Sequence, residues 1–505
     1  MDGTAREQAD LHLTRSVPAL AVAAALLLTG CGTRADETEI RAGAAGSGTV
    51  TLTSESLDQL RAAAAGGGTV PVPGAPTGEV ASGTVDTGPL APGTTTSNAT
   101  AGQDTTGAAA GPASPATGRA NQPAAARGGA DAACTEQLPP VALGQVGTFS
   151  GLAGAVSASA RTTAAIWAQD VNARGGLACH PVTVFARDDG GDPAKAAALV
   201  RELHAQSKVV ALINSVVVFS VAGFRTAVED LQLPAVGGEL LAPDWNESAY
   251  MFPQGAGFFD QIVGFLKQGV EMGKKKIATL YCVEVTACSE GIAYGRSEGV
   301  KKAGGELVYD SAISLTQTDF TAQCQNAKNA GADQLVLGMD GSAMTRVARS
   351  CAAIGYKPLL SGIGGTISSA QAADPTLRSF GLAVASGVAP WTETDTPGLK
   401  AYRDALRRYA PSLAPDGPSI QAWTSGQLLE RAVAGLGAKA RSGPLTTALI
   451  LDALGTVKNE DLEGLTAGVT FTPNQKHAVS SGCIYYELLT PDGWTAPKGS
   501  RKVCV

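Results

Sequence analysis

From Leu138 onward, short apolar runs alternate with longer segments whose apolar residues recur at helical spacing. The pattern predicts a strand over 141–146, a helix from about 160 to 171, a turn over 172–176 and a strand over 181–185. A helix over 194–204 and a buried strand over 209–213 follow. The alternation continues with helices over 222–231, 258–272, 292–303 and 320–330, and strands over 233–236, 276–281, 306–309 and 334–337. Strands that alternate with amphipathic helices argue for parallel sheets covered on both faces. Roughly 370 residues exceed one small core, so two doubly wound α/β lobes are expected.

The chain ahead of this region reads differently. Residues 32–133 read as a tether, in which Gly66 to Ala133 are dominated by Ala, Gly, Thr, Pro and Ser, as in Ala91-Pro92-Gly93-Thr94-Thr95-Thr96. They lack the apolar side chains that offset ordering entropy, so a disordered tether is expected, with hydroxyls that O-glycans would also suit. A short helix over 54–65 has nothing obvious to pack on. Before the tether, Arg15 precedes a 12-residue run from Val17 to Leu28, which closes on Leu28-Thr29-Gly30-Cys31. That is a secretory signal, too short to span a bilayer. Its ending resembles the bacterial lipobox, which implies cleavage before Cys31 and a lipid anchor on that sulfur. The acidic Asp2, Glu7 and Asp10 are unusual ahead of such a run, so the true start is expected further along. An ordinary signal with a chance cysteine is the alternative.

Composition narrows the function classes. The 505 residues carry a formal net charge of -7 and 16% charged residues, without the basic stripe of a nucleic-acid binder. No later run is apolar enough for a membrane helix. Of nine cysteines, setting Cys31 aside leaves eight: Cys134, Cys179, Cys282, Cys288, Cys324, Cys351, Cys483 and Cys504. An even count in an exported chain reads as disulfides. About a hundred connectivities are open. Pairing in chain order, Cys134 with Cys179, Cys282 with Cys288, Cys324 with Cys351 and Cys483 with Cys504, is a guess. Zinc is the rival, but the 282–288 spacing fits no common finger and His180 has no partner histidine nearby. His180, His204 and His477 are scattered, and a phosphate loop and His-Glu-x-x-His are missing from the sequence. No catalytic residue, metal or cofactor is expected.

Ordered motifs carry a resemblance. Gly147-Thr148-Phe149-Ser150-Gly151 is followed by Asp170-Val171-Asn172-Ala173-Arg174-Gly175-Gly176, then by Asp188-Asp189 with Asp192-Pro193. Tyr294-Gly295, Asp319-Phe320, Gly464-Leu465-Thr466 and Val469-Thr470-Phe471 come later in the same order as in relatives. Residues 138–505 resemble the type I periplasmic binding proteins of the branched-chain amino acid and amide group, the solute receptors of ABC importers. The resemblance implies two lobes joined by three crossings, near 253–258, 388–391 and 465–469. Lobe one would be 138–255 plus 390–466, and lobe two 256–389 plus 467–505. The ligand would lie between them at the carboxyl ends of the strands, where loops and helix N-termini present free N–H groups.

Four loops are then expected to line the cleft. Thr148, Phe149 and Ser150 form the first. In the second, over 214–220, the resemblance implies the position where relatives place a carboxylate-binding hydroxyl, taken here by Ser220, or by Phe219 in a register one residue away. Gly238 and Glu239 form the third, and Tyr294 is the aromatic wall of the fourth. Ordinary turn chemistry is the alternative for the small residues. Relatives that hold an ammonium use an acid on a second-lobe loop; the matching stretch, Ser361-Gly362-Ile363-Gly364-Gly365-Thr366, has Gly364 at or beside that place. Asp340 or Glu239 would have to replace it, unless Asp340 simply caps the helix starting near Ser342. Trp391 is expected over the cleft mouth and Trp423 in the core. The implied function is a lipid-anchored, extracytoplasmic, monomeric receptor that passes a small polar or amphipathic solute to ABC permease subunits by hinge closure. A sensing receptor of the same fold, uncoupled from import, is the alternative.

Overall fold

The computed structural model describes Cys134 and residues 136–151, 154–472 and 478–505. All of them belong to one of two compact units, Pro115–Val505. The expected signal segment, Cys31, the tether over 32–133 with its short helix, and His477 lie outside the described residues.

The first sheet contains β1 (Val141–Gly147), β2 (Val182–Asp188), β3 (Ala211–Ser215), β4 (Ala235–Gly238) and β5 (Met251–Phe252). All pairs are parallel, in the order β2-β1-β3-β4-β5. The order reverses at β1, so the loops after β1 and β3 diverge and leave a crevice. Helices α1 (Gly154–Ala173), α2 (Pro193–Gln206) and α3 (Val221–Leu231) make the crossovers. α1 is released through Gly175 and Gly176, at φ +107° and +93°, where a Cβ on Gly176 would fall 2.4 Å from the His180 carbonyl oxygen. α2 starts on Asp192, which accepts from the Ala194 and Lys195 amides ahead of Pro193 in the first turn.

The second sheet has five parallel strands: β6 (Lys276–Cys282), β7 (Glu306–Ile313), β8 (Gln334–Gly338), β9 (Leu359–Ile363) and β10 (Leu382–Ser386). Antiparallel β11 (Cys483–Thr490) and β12 (Gly493–Thr495) extend it, giving the order β12-β11-β10-β9-β8-β6-β7. Helix α4 (Phe258–Glu271) packs on β9, β10 and β11. Helix α5 (Thr286–Tyr294) runs on through a π turn (Gly295–Gly299) into Val300–Ala303. It therefore begins before the helix predicted from 292. α6 (Thr321–Asn329) and α7 (Gly341–Ala353) complete this half.

After β10 the chain returns to the first sheet as α8 (Pro397–Tyr409), α9 (Gly417–Gly435) and α10 (Thr447–Gly455). α9 is buried along most of its length and lies against α1 and β4. Gly426 allows the close approach, because a Cβ there would overlap the Trp167 ring at 2.4 Å. The first two crossings run side by side, the Ala256 amide donating to the Gly387 carbonyl (3.1 Å), and the Ala389 amide donates to the Leu465 carbonyl (2.8 Å). The third crossing lies later than 465–469. Val469 exchanges backbone bonds with Glu460, and Phe471 meets Phe252 edge-on at 5.3 Å, so the chain stays on the first half through Phe471. It is on the second only from β11.

Four disulfides close in chain order: Cys134–Cys179, Cys282–Cys288, Cys324–Cys351 and Cys483–Cys504. The sulfurs that a zinc site would need are thus bonded to one another. His180 is buried between the carbonyls of Pro139 (Nδ1, 2.6 Å) and Ala440 (Nε2, 3.0 Å), a structural tie across the first half.

Candidate functional site

The carboxyl ends of both sheets face a cavity with about 150 Å³ open to the centres of water-sized atoms. That is room for on the order of ten waters. Ser157, Asn214, Val216, Phe219, Glu239 and Leu241 line it from the first half, with Pro418 and Gln421 from the start of α9. Met339, Asp340, Ile363, Gly365 and Thr366 line it from the second. The cavity then continues inward, past Phe258, Ile262, Phe265 and Leu266 of α4, and Ala287, Gly291, Gly295 and Val300 of α5 and its continuation. Thr279, Leu307 and Val336 floor this inner arm. Apolar side chains dominate throughout.

The polar groups at the mouth are mostly engaged. Glu239 accepts from the Trp245 indole (Nε1 to Oε1, 2.9 Å) and from the Val217 amide (3.2 Å). Burial pushes its carboxyl up to about 7, outweighing these two bonds, and the nearby Asp244 adds to the rise. Asp340 is the N-cap of α7, its Oδ1 accepting from the Ser342 (2.8 Å) and Ala343 (3.3 Å) amides. Asn214 holds a left-handed backbone at φ 43°, where its Nδ2 donates to the Ala160 carbonyl. Arg296, at the edge of the lining, pairs with Asp310 and lies over the Tyr281 ring at 5.6 Å. Gln421 stands apart: its Nε2 is buried with no hydrogen-bond partner, and it faces the cavity beside Gly365.

A cleft between two parallel-sheet lobes is the arrangement of a hinged solute receptor, and residues 140–487 match the sequence family described as periplasmic binding protein. The chain belongs to that family. It is a family of periplasmic binding receptors, not of enzymes. No curated protein matches the sequence. Solved structures share the fold. A fatty acid ABC transporter substrate-binding protein from Thermomonospora curvata superposes with a TM-score of 0.61 at 19% identity, over 72% of this chain and 93% of that one. A possible leucine/isoleucine/valine-binding protein from Rhodopirellula baltica gives 0.60 at 16% identity, over 71% and 96%. A solute-binding protein from R. palustris in complex with benzoate gives 0.59 at 16% identity, over 72% and 98%.

Within this periplasmic binding protein, Phe219, Glu239 and Asp340 are the expected ligand residues that line the cavity. The others sit around it. Thr148 and Ser220 both donate their hydroxyls to Asp189, at 2.8 and 2.7 Å. Phe149 packs under Arg161 (5.4 Å), its amide donating to Asp188, and exposed Ser150 also bonds Asp188. These bonds, with that of the Gly190 amide, hold the Asp188 carboxyl below the usual range against the opposing effect of burial. Gly238 lies under the Trp245 ring, its amide donating to Gln254. Gly364 packs on Ser386 and Trp391; its neighbour Gly365 lines the cavity.

Two aromatic expectations change. Tyr294 stacks on Phe259 (4.4 Å) and accepts from Lys302 on the outer side of α5, so Gly295 lines the cavity in its place. Trp391 is buried edge-on against Trp494 (5.1 Å), its amide bonded to Glu487, and does not cover the mouth. Trp423 is in the core beside Tyr402. Sequence reasoning missed Gln421, Ser157 and the whole inner arm. The readable signal for the arm is the four-residue spacing of Gly291, Gly295 and Gly299.

Proposed function

We propose that this protein is an extracytoplasmic receptor that takes an amphipathic solute with an apolar body and an uncharged, hydrogen-bond-accepting end to ABC permease subunits. The observation that carries this reading is the cavity's lining. It is apolar almost throughout, and the charged side chains on it are spoken for: Glu239 by Trp245 and Val217, Asp340 by its helix, Arg296 by Asp310. An α-amino acid needs a free carboxylate for its ammonium and a cluster of donors for its own carboxylate; leaving either charge unpaired is costly. The hydroxyls at Thr148 and Ser220 that would meet a carboxylate are turned to Asp189. Fold relatives that include a fatty acid receptor and a benzoate complex are consistent with apolar cargo in this fold.

Closure of the two halves about the three crossings would bury such a solute. The solute favours the closed form only by its extra affinity for it, and the permease would read that form. Lipidation at Cys31 would keep the receptor near its permease.

The test is thermal unfolding of the secreted, oxidised full chain at pH 6 with leucine, valine, benzoate, decanoate and decanamide. A solute at ~100 times its dissociation constant stabilises by about 2.7 kcal/mol. Decanamide is expected to raise Tm, while leucine and valine leave it unchanged. A rise with leucine or valine alone overturns the reading.

A further inference from the structure

We propose that the inner arm of the cavity is a separate compartment for one unbranched hydrocarbon chain, entered from the cleft and kept open by Gly295. The proposal deepens the receptor reading above and rests on it.

The arm has a direction. Along α4 its wall runs from Phe258 through Ile262 to Leu266, and along the facing helix from Gly291 through Gly295 to Val300. Eight residues of helix rise roughly 12 Å. A zigzag alkyl chain, with C–C bonds of about 1.5 Å, advances about 1.3 Å per carbon, so the arm takes roughly eight to ten carbons.

The space is concentrated at one residue. Gly295 is buried, yet a Cβ built on it meets only the Ile262 Cγ2, at 4.0 Å. Its neighbours on the same stripe are closed: at Gly291 the Phe258 Cζ would be 2.9 Å away, and at Gly299 the Leu266 Cδ1 would be 3.2 Å away. The open space along this stripe is therefore at Gly295, between two positions that Phe258 and Leu266 close. Gly295 also opens the π turn, a distortion that is common at functional positions.

The chemistry separates the two ends. In the arm, Thr279 is the deep polar side chain, and its Oγ1 has no partner. At the mouth, the buried Gln421 Nε2 is a donor without an acceptor. With two carboxyls nearby and Arg296 already paired, the mouth fits a carbonyl or amide oxygen better than a carboxylate. Such a head on Gln421 would leave the tail to enter between α4 and α5.

The experiment is calorimetry at pH 6 on the delipidated, oxidised full chain with primary amides from butanamide to tetradecanamide, and with the matching carboxylates. Each methylene that enters the arm is expected to tighten binding by roughly four-fold, until the gain stops near eight to ten carbons. Gly295→Leu fills the void and replaces a helical glycine with a better helix former. It is expected to weaken decanamide by a hundredfold or more and to leave butanamide within threefold. Gly295→Ala should fall between, and carries the test if the leucine variant does not fold.

A wild-type series that is flat with length, or variant series that superimpose on wild type, overturns the compartment. If butanamide still binds in that case, the receptor reading stands alone. If no amide or carboxylate of any length binds the wild type, both readings fall.

Discussion

Glu239→Gln tests the electrostatics of the cleft directly. Burial raises the Glu239 carboxyl from 4.5 to about 7. The folded protein therefore holds this proton more tightly than the unfolded chain, and stability falls as pH rises from about 4.5 through 7. At 1.36 kcal/mol per pKa unit the loss across that window is about 3 kcal/mol. Gln has no such titration. Its carbonyl oxygen replaces one carboxylate oxygen, but its NH₂ meets either the Trp245 indole N–H or the Val217 amide, donor against donor. One lost bond with its donor left buried costs about 1–3 kcal/mol. The variant should be less stable than wild type by about that much at pH 4.5, and should draw level with or overtake it by pH 8.5. Urea unfolding of the oxidised protein across this range gives the difference curve. Glu430, Asp416 and Glu487, whose carboxyls burial also raises, are present in both proteins and cancel. A difference that stays constant from pH 4.5 to 8.5 would refute the argument.

Two further substitutions separate structural from ligand roles. Asp340→Ala removes the cap on the Ser342 and Ala343 amides and should cost about 1 kcal/mol in urea unfolding; unchanged affinity for the preferred amide would mark it as a cap, whereas a loss of more than tenfold would make it a ligand group. Thr279→Val replaces a buried hydroxyl that has no partner with a methyl, so the ligand-free protein should gain up to about 1 kcal/mol; a loss of stability would mean that the hydroxyl is bonded through water.

The sequence pattern reached the fold because strand and helix periods repeat at every crossover. Strands predicted at 141–146, 276–281 and 334–337 lie within or nearly coincide with Val141–Gly147, Lys276–Cys282 and Gln334–Gly338. The third crossing was displaced because Val469 and Phe471 carry the same apolar signal whether they begin a new lobe or, as here, finish the old one against Glu460 and Phe252. At the site, motif order led to loops beside the cavity but not to where their side chains turn. Thr148 and Ser220 lie in cleft loops as expected, but one buried carboxylate, Asp189, takes both hydroxyls. No single-residue reading of a hydroxyl reveals which acceptor will reach it first.

The inner arm was illegible for a different reason. Ile262, Phe265, Leu266 and Val336 are the residues that any α/β core uses, and a side chain facing a void has the same identity as one facing a neighbour. What distinguishes a cavity from a core is missing volume, and glycine is how a sequence writes missing volume. Three glycines at four-residue spacing within a helix destabilise it by roughly 1 kcal/mol each relative to alanine. At Gly291 and Gly299 close packing by Phe258 and Leu266 accounts for that cost. At Gly295 only Ile262 comes near, at 4.0 Å, so close packing does not account for that cost and the proposed hydrocarbon chain would.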